Sequence, residues 1–255
     1  MRASKGVARF YVPSMSGHDA LKLAKPDRDV KRPGRGAAGA YRRACYNGGS
    51  PMSAKKPARK ARVAARAQLP TRFGAFTILG IQGRKRSETA VALIRGKLRK
   101  NQTPLVRIHS QCLTGDVMAS ERCDCRAQLE FSLREIAKAK SGILLYLPQE
   151  GRGIGLMNKL RAYELQDHGM DTVQANRRLG FAADSRDYGF SAEALKLLGA
   201  RSVRLLSNNP DKVKQLERAG IRVAERVPCQ PRTSRVSRSY LRTKKDKLGH
   251  LLSGF

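Results

Sequence analysis

From about residue 103 to residue 227, short apolar runs of strand length alternate with segments whose apolar residues recur at helical spacing. That alternation predicts one α/β domain with a mixed β-sheet flanked by helices. The strand-like runs are Leu105–His109, Gly142–Leu147, Val203–Leu206 and Ile221–Ala224. Gly142-Ile-Leu-Leu-Tyr-Leu147 suits a buried strand. Between them, Leu129, Leu133, Ile136 and Ala137 predict a helix over 126–139, and a second runs over 156–168 and stops at Gly169. Asp171 suits the cap of a third helix, Ser191 of a fourth and Asn208 of a fifth, whose Asn209-Pro210 start puts proline at the first helical position. Ahead of this region, Ala75–Ile81 and Thr89–Ile94 read as two strands joined by a charged turn, with order beginning near Leu69-Pro70.

Charge divides the chain. Residues 1–66 carry 17 Lys+Arg against 3 Asp, and residues 226–255 carry 8 against one, out of a net charge of +32. Residues 1–66 hold no apolar period and are rich in Gly, Pro and basic residues, so they read as a basic, disordered extension. Residues 67–228 read as the domain, and 229–255 as its basic, partly flexible C-terminal segment. A start at Met52 is a further reading, with Asn47-Gly48-Gly49 upstream as a translated ribosome-binding site. The basic ends are either solvated tails or binders of polyanions such as nucleic acid. The absence of Trp and the 5% aromatic content weigh against base stacking. No apolar run reaches 18 residues and no secretory signal opens the chain, so the expected location is cytoplasmic, away from membranes.

Five cysteines, an odd number, argue against a disulfide framework. Cys112, Cys123 and Cys125 fall within fourteen residues, in the pattern Cys, ten residues, Cys, one residue, Cys. Thiolates are soft ligands suited to zinc. His109, three residues before Cys112, leaves two readings open. One is a closed structural Cys3His site; the other is three thiolates with a vacant position, where a bound water would reach a pKa of about 7. Spacing does not choose between them.

Past the strand at Leu147 comes Gln149-Glu-Gly-Arg-Gly-Ile-Gly155 and then a helix, an arrangement that can present backbone N–H groups to an anion, with Arg152 added. Glu150 has the two acceptors needed for the N1–H and 2-amino groups of guanine. Asp184-Ser-Arg186 offers a proton acceptor and a phosphate contact, or a surface ion pair. Ser207 and Lys212 flank a strand-to-helix turn with a similar choice between phosphate contact and helix capping.

In their order, these stretches resemble GTP cyclohydrolase II, the enzyme that opens riboflavin synthesis. The resemblance rests on Arg107–Asp116, Arg122–Cys125, Gln149–Leu156, Asn158–Tyr163, Asp171-Thr172, Leu179–Asp184, Asn208–Pro210, Glu225–Pro228, Tyr240–Lys244 and Gly249–Leu252, and it covers about Leu69 to Leu252. It implies a hydrolase of cyclic amidine C–N bonds. GTP would be opened at carbon 8 of guanine, giving formate, pyrophosphate and 2,5-diamino-6-ribosylamino-4(3H)-pyrimidinone 5′-phosphate. It implies one Zn2+ on Cys112, Cys123 and Cys125 with the fourth position open, Mg2+ with GTP, and a homodimer. Carried over by position, Arg107, Ile108, His109, Ser110, Gln111, Gln128, Glu150, Gly151, Arg152, Thr172, Ser207 and Lys212 would contact GTP. Tyr163 would position the base, Asp184 would accept a proton, and Arg186 would act at the α-phosphate as nucleophile or as stabilising charge. Gln111 stands where the family has Glu, Arg126 where it has Gly and Ser207 where it has Thr, and residues 229–239 are basic rather than Asn-rich. These departures keep two alternatives in view: a paralogue with a partial reaction, and a non-catalytic nucleic-acid binder on the same scaffold. From its length, the chain is expected to lack the dihydroxybutanone-phosphate synthase domain often fused to this enzyme.

Overall fold

The computed structural model describes residues 60–99, 101–231 and 238–252. The possible start at Met52 and all but the last seven residues of the 1–66 extension lie outside them. Strands β1 (Arg62–Thr71), β2 (Gly74–Gln82) and β3 (Thr89–Arg95) form an antiparallel meander. Then follow β4 (Leu105–Ser110), α1 (Cys125–Lys138), β5 (Gly142–Leu147), α2 (Leu156–Asp167), α3 (Thr172–Arg178), α4 (Gly189–Leu197), β6 (Ser202–Leu206), α5 (Pro210–Arg218), β7 (Arg222–Val227) and α6 (Arg238–Leu248). The seven strands make one mixed sheet in the order β1-β2-β3-β5-β4-β6-β7, antiparallel through β3–β5 and parallel from β5 to β7. The expected mixed α/β sheet is what forms.

The buried strands have apolar residues on both faces because both faces are covered. Ile143, Leu145 and Leu147 of β5 pack into one core with Val106, Ile108, Leu195 and Leu205, while Leu144 packs into a second with Phe76, Leu105, Ile136 and Leu206. Fully burying side chains of this size stabilises by about 1.5–3 kcal/mol each. The same period of two places Arg107 and His109 of β4 on the α1 side of the sheet, with Leu105.

Local signals decide most element ends. Asp171 caps α3 in a full capping box with Gln174, and Pro210 opens α5. Three expectations need correction. Strand β1 begins at Arg62, ahead of Leu69, because its ladder with β2 supplies the order; most of its residues are exposed, so no apolar alternation announces it. The cap of α5 is Asn209, whose side chain accepts from the Asp211 N–H; Asn208 instead clamps the Cys229 backbone with bonds of 2.7 and 2.9 Å. Helix α4 starts at Gly189, since Asp187 captures the Gly189 N–H at 2.8 Å, so Ser191 lies buried inside the helix. Helix α6 carries almost no apolar signal and the sequence reading missed it. Among the described residues, no helix is long and apolar enough to cross a membrane.

Candidate functional site

β5 and β6 lie on opposite sides of β4, so the sheet order switches there. Loops leaving the carboxyl ends of parallel strands at such a point diverge and open a crevice. A cleft lies there, and Ser110, Gln149 and Ser207, at or just past the ends of β4, β5 and β6, line it.

The three thiolate candidates converge at one end of this cleft. Their sulfurs all lie within 4.8 Å of one another, and Cys112 Sγ is 3.6 Å from Cys123 Sγ. Two sulfurs on a tetrahedral zinc with bonds of about 2.3 Å stand about 3.8 Å apart, so the donor set fits that ion. A π-helical turn, Leu113–Val117, folds the ten-residue arm back. Its Gly115 sits so close that an added Cβ would lie 2.9 Å from Cys123 Sγ and 3.2 Å from Cys112 Sγ. Three sulfurs this near share protons as a set. Hydrogen bonds from Cys123 and Cys125 hold Cys112 far below the usual thiol range, helped by Lys159. The bond to Cys112 pushes Cys123 up to about 11, and Cys125 rises with it.

His109 does not close this site. Its Nε2 meets the Asp116 carboxylate at 3.1 Å, and no other His, Cys, Asp or Glu joins the three sulfurs among the described residues. Burial lowers the His109 pKa despite Asp116, which keeps the ring neutral. With Nε2–H donating to Asp116, Nδ1 remains an acceptor with no partner among the described residues. Asp116 also accepts from the Cys112 N–H at 3.0 Å and the Tyr146 hydroxyl at 2.8 Å, so it orients both the histidine and Cys112.

Glu150 is less free than its guanine-reading role requires. One oxygen accepts from the Leu113 N–H at 2.7 Å; the other accepts from the Gly151 N–H at 3.0 Å and Lys159 Nζ at 2.7 Å. Three of about four acceptor positions are used, leaving little for two guanine N–H groups. The buried Lys159 also donates to Cys112 Sγ at 3.1 Å and Thr114 Oγ1 at 2.9 Å. Thr114 in turn meets the Tyr163 hydroxyl at 3.2 Å, and the Arg122 guanidinium lies over the Tyr163 ring at 4.4 Å.

The rest of the cleft is cationic. Arg107 is buried, with bonds to the Leu206 carbonyl (3.0 Å) and Gln128 Oε1 (2.5 Å), and its Nε has no partner among the described residues. Lys212 donates to the Ile108 carbonyl at 2.8 Å. Burial lowers the Lys212 pKa well below its ordinary value, and Arg107 and Arg186 add to the effect. Neither Arg107 nor Lys212 has a carboxylate partner among the described residues. Arg152 reaches the Ala183 carbonyl from a backbone with φ of 59°, in the left-handed region; the neighbouring Gly151 has φ of 61°. Arg186 makes a two-pronged bridge to Asp184. Burial opposes both charges, but the bridge wins: it raises Arg186 and holds Asp184 below the ordinary carboxylate range.

Of the other sequence-picked residues, Ser110, Gln111, Gln128, Thr172 and Ser207 line the cleft. Ile108 does not: its side chain is fully buried in the opposite core, and only its carbonyl faces this way, through Lys212. Asp184 reaches the cleft through Arg186. Arg126, at the glycine position of the family, is absorbed on the surface of α1 by Glu130 at 3.2 Å. Sequence reasoning gave no role to Asp116, Asp124, Lys159, Lys244 or His250. All five stand inside quoted motifs, and Lys159 lies one helical turn before Tyr163, which is the signal that could have found it.

A family model for GTP cyclohydrolase II matches residues 61–228. The chain is 50% identical over 188 residues to GTP cyclohydrolase-2 of Buchnera aphidicola subsp. Acyrthosiphon pisum, covering 74% of this chain and 97% of that protein. It is 52% identical over 188 residues to GTP cyclohydrolase-2 of Tolumonas auensis, covering 74% and 95%. It is also 52% identical over 185 residues to the riboflavin biosynthesis protein RibBA of Bacillus cereus, covering 72% of this chain but 47% of that protein, so it spans about half the length of that relative.

Proposed function

The chain belongs to the GTP cyclohydrolase II family, and on that premise we propose that it hydrolyses GTP to formate, pyrophosphate and 2,5-diamino-6-ribosylamino-4(3H)-pyrimidinone 5′-phosphate. One juxtaposition carries the reading: a converged trio of candidate thiolate ligands shares a cleft with two buried cations, Arg107 and Lys212, that lack carboxylate partners among the described residues. Buried charges without a counter-charge are costly, so their retention supports an anionic ligand that completes them. A triphosphate at one end and a purine at the sulfur end satisfies both features.

Cys112, Cys123 and Cys125 would hold the zinc, which supplies Lewis acidity and activated water beside the base. Lys159 balances thiolate charge by its contact with Cys112. Tyr163, fixed by Thr114 and Arg122, would position the base. His109, neutral and with Nδ1 as acceptor, is suited to an N–H of the substrate. Arg107, Lys212, Arg152 and Arg186 would neutralise the phosphates, with Mg2+ alongside. The Asp184 bridge holds Arg186 protonated, which supports charge stabilisation at the α-phosphate over a nucleophilic guanidine. Asp184 becomes a stronger base only when Arg186 turns to phosphate, so its proton-acceptor role follows phosphate binding. A homodimer and a cytoplasmic location belong to the same reading.

The test is to incubate zinc-loaded protein with GTP and magnesium and assay formate, pyrophosphate and the pyrimidine together. Cys123→Ser should lose both bound zinc and formate release. Full turnover by that variant would refute the metal role.

A further inference from the structure

Helix α6 lies at the far end of the chain, yet Tyr240, Lys244 and His250 line the same cleft as the thiolates. Its Lys244 is buried and donates to Asp124 Oδ1 at 2.6 Å, across 120 residues of sequence. Asp124 is the middle residue of Cys123-Asp-Cys125, so the bridge grips the turn that presents two of the three sulfurs. The other Asp124 oxygen accepts from Gln128 Nε2 at 2.5 Å, and Gln128 Oε1 accepts from Arg107 Nη2, also at 2.5 Å. Four side chains thus run in line from α6 through the thiolate turn and α1 to a cation on β4.

The order of donors and acceptors fixes the direction of this relay. Lysine only donates and an ionised aspartate only accepts, so Asp124 requires Gln128 to turn its NH2 inward. That leaves the amide oxygen facing Arg107, and this acceptor holds one arm of the guanidinium while Leu206 holds the other. Lys244 and Asp124 are both almost wholly buried, so removing one leaves the other uncompensated.

We propose that Lys244 is a positioning residue for both halves of the site: through Asp124 it fixes the Cys123–Cys125 turn, and through Gln128 it aims Arg107 at the substrate. The inference rests on the reading of this cleft as a zinc and GTP site. Groups that orient metal ligands typically change metal affinity or activity by about 10–100-fold when removed. A change in that range is expected for zinc retention in Lys244→Met.

Because Lys244 also lines the cleft, direct contact with phosphate is the competing role, and a double variant separates them. In the Gln128→Leu background the relay is already cut, so adding Lys244→Met should raise the KM for GTP little further. A direct phosphate contact would instead make the two effects multiply. Zinc dissociation constants, from competition with a chromophoric chelator, and melting temperatures are measured on the same proteins. Asp124→Asn, nearly isosteric, serves where Lys244→Met does not fold, and should weaken zinc retention and raise KM together. Multiplicative KM effects, or wild-type zinc retention in folded Lys244→Met or Asp124→Asn, overturn the proposal. If the unaltered protein makes no formate from GTP, the functional reading fails, while zinc retention in these variants still decides whether Lys244 positions the turn.

Discussion

Gly115→Ala is a one-carbon perturbation aimed at the thiolate cradle. Gly115 is buried and its φ is not in the left-handed region, so alanine strains no backbone; the effect is steric. The added methyl would stand 2.9 Å from Cys123 Sγ, 3.2 Å from Cys112 Sγ and 3.2 Å from Cys125 Cβ, all inside ordinary contact. Without metal, the sulfurs are ends of rotatable side chains and can swing aside. With metal they must converge, so the strain falls on the loaded state. Overpacking of this kind costs about 1–3 kcal/mol, which at about 1.4 kcal/mol per decade weakens zinc binding by roughly 5- to 150-fold. Chelator competition reads the dissociation constant, and thermal melts of the metal-free protein should move much less. Wild-type zinc affinity in folded Gly115→Ala would refute the argument that the three sulfurs close around one ion against this turn.

Two further outcomes follow from the charges. Burial depresses Lys212, so below about pH 10.4 the unfolded chain holds more protons at this lysine than the folded one. Stability therefore rises with pH from the depressed folded pKa up to about 10.4. Lys212→Met should remove that slope and raise the melting temperature at neutral pH, by about 2–4 °C for each kcal/mol relieved, while weakening GTP binding. Parallel melting-temperature profiles against pH for the two proteins would count against it. One thiol of the coupled trio held low and the other two raised predicts a single shared thiolate in the metal-free protein at neutral pH. Zinc loading should then release about two protons per ion into a weakly buffered indicator solution; a release near zero or three contradicts the assignment.

Much of the architecture was determined locally. The apolar run Gly142–Leu147 is a strand with those bounds, and Asp171 and Pro210 start their helices where capping chemistry puts them. Such signals depend on a residue's own backbone preference and its next few neighbours. The thiolate spacing likewise marked the three cysteines whose sulfurs converge, and most cleft-lining side chains stood in motifs legible in the chain. Only the tertiary structure decided what those side chains face. His109 and Asp116 lie on one folded-back segment, and that packing turns the imidazole away from the sulfurs. Glu150 lines the cleft with its oxygens already engaged by Lys159 and two backbone N–H groups. Strand β1 and helix α6 expose so little apolar pattern that pairing and long-range contact must specify them. A hydrogen bond closed across 120 residues leaves no mark on the sequence around either partner, because its energy depends on where the chain brings them and not on what stands beside them.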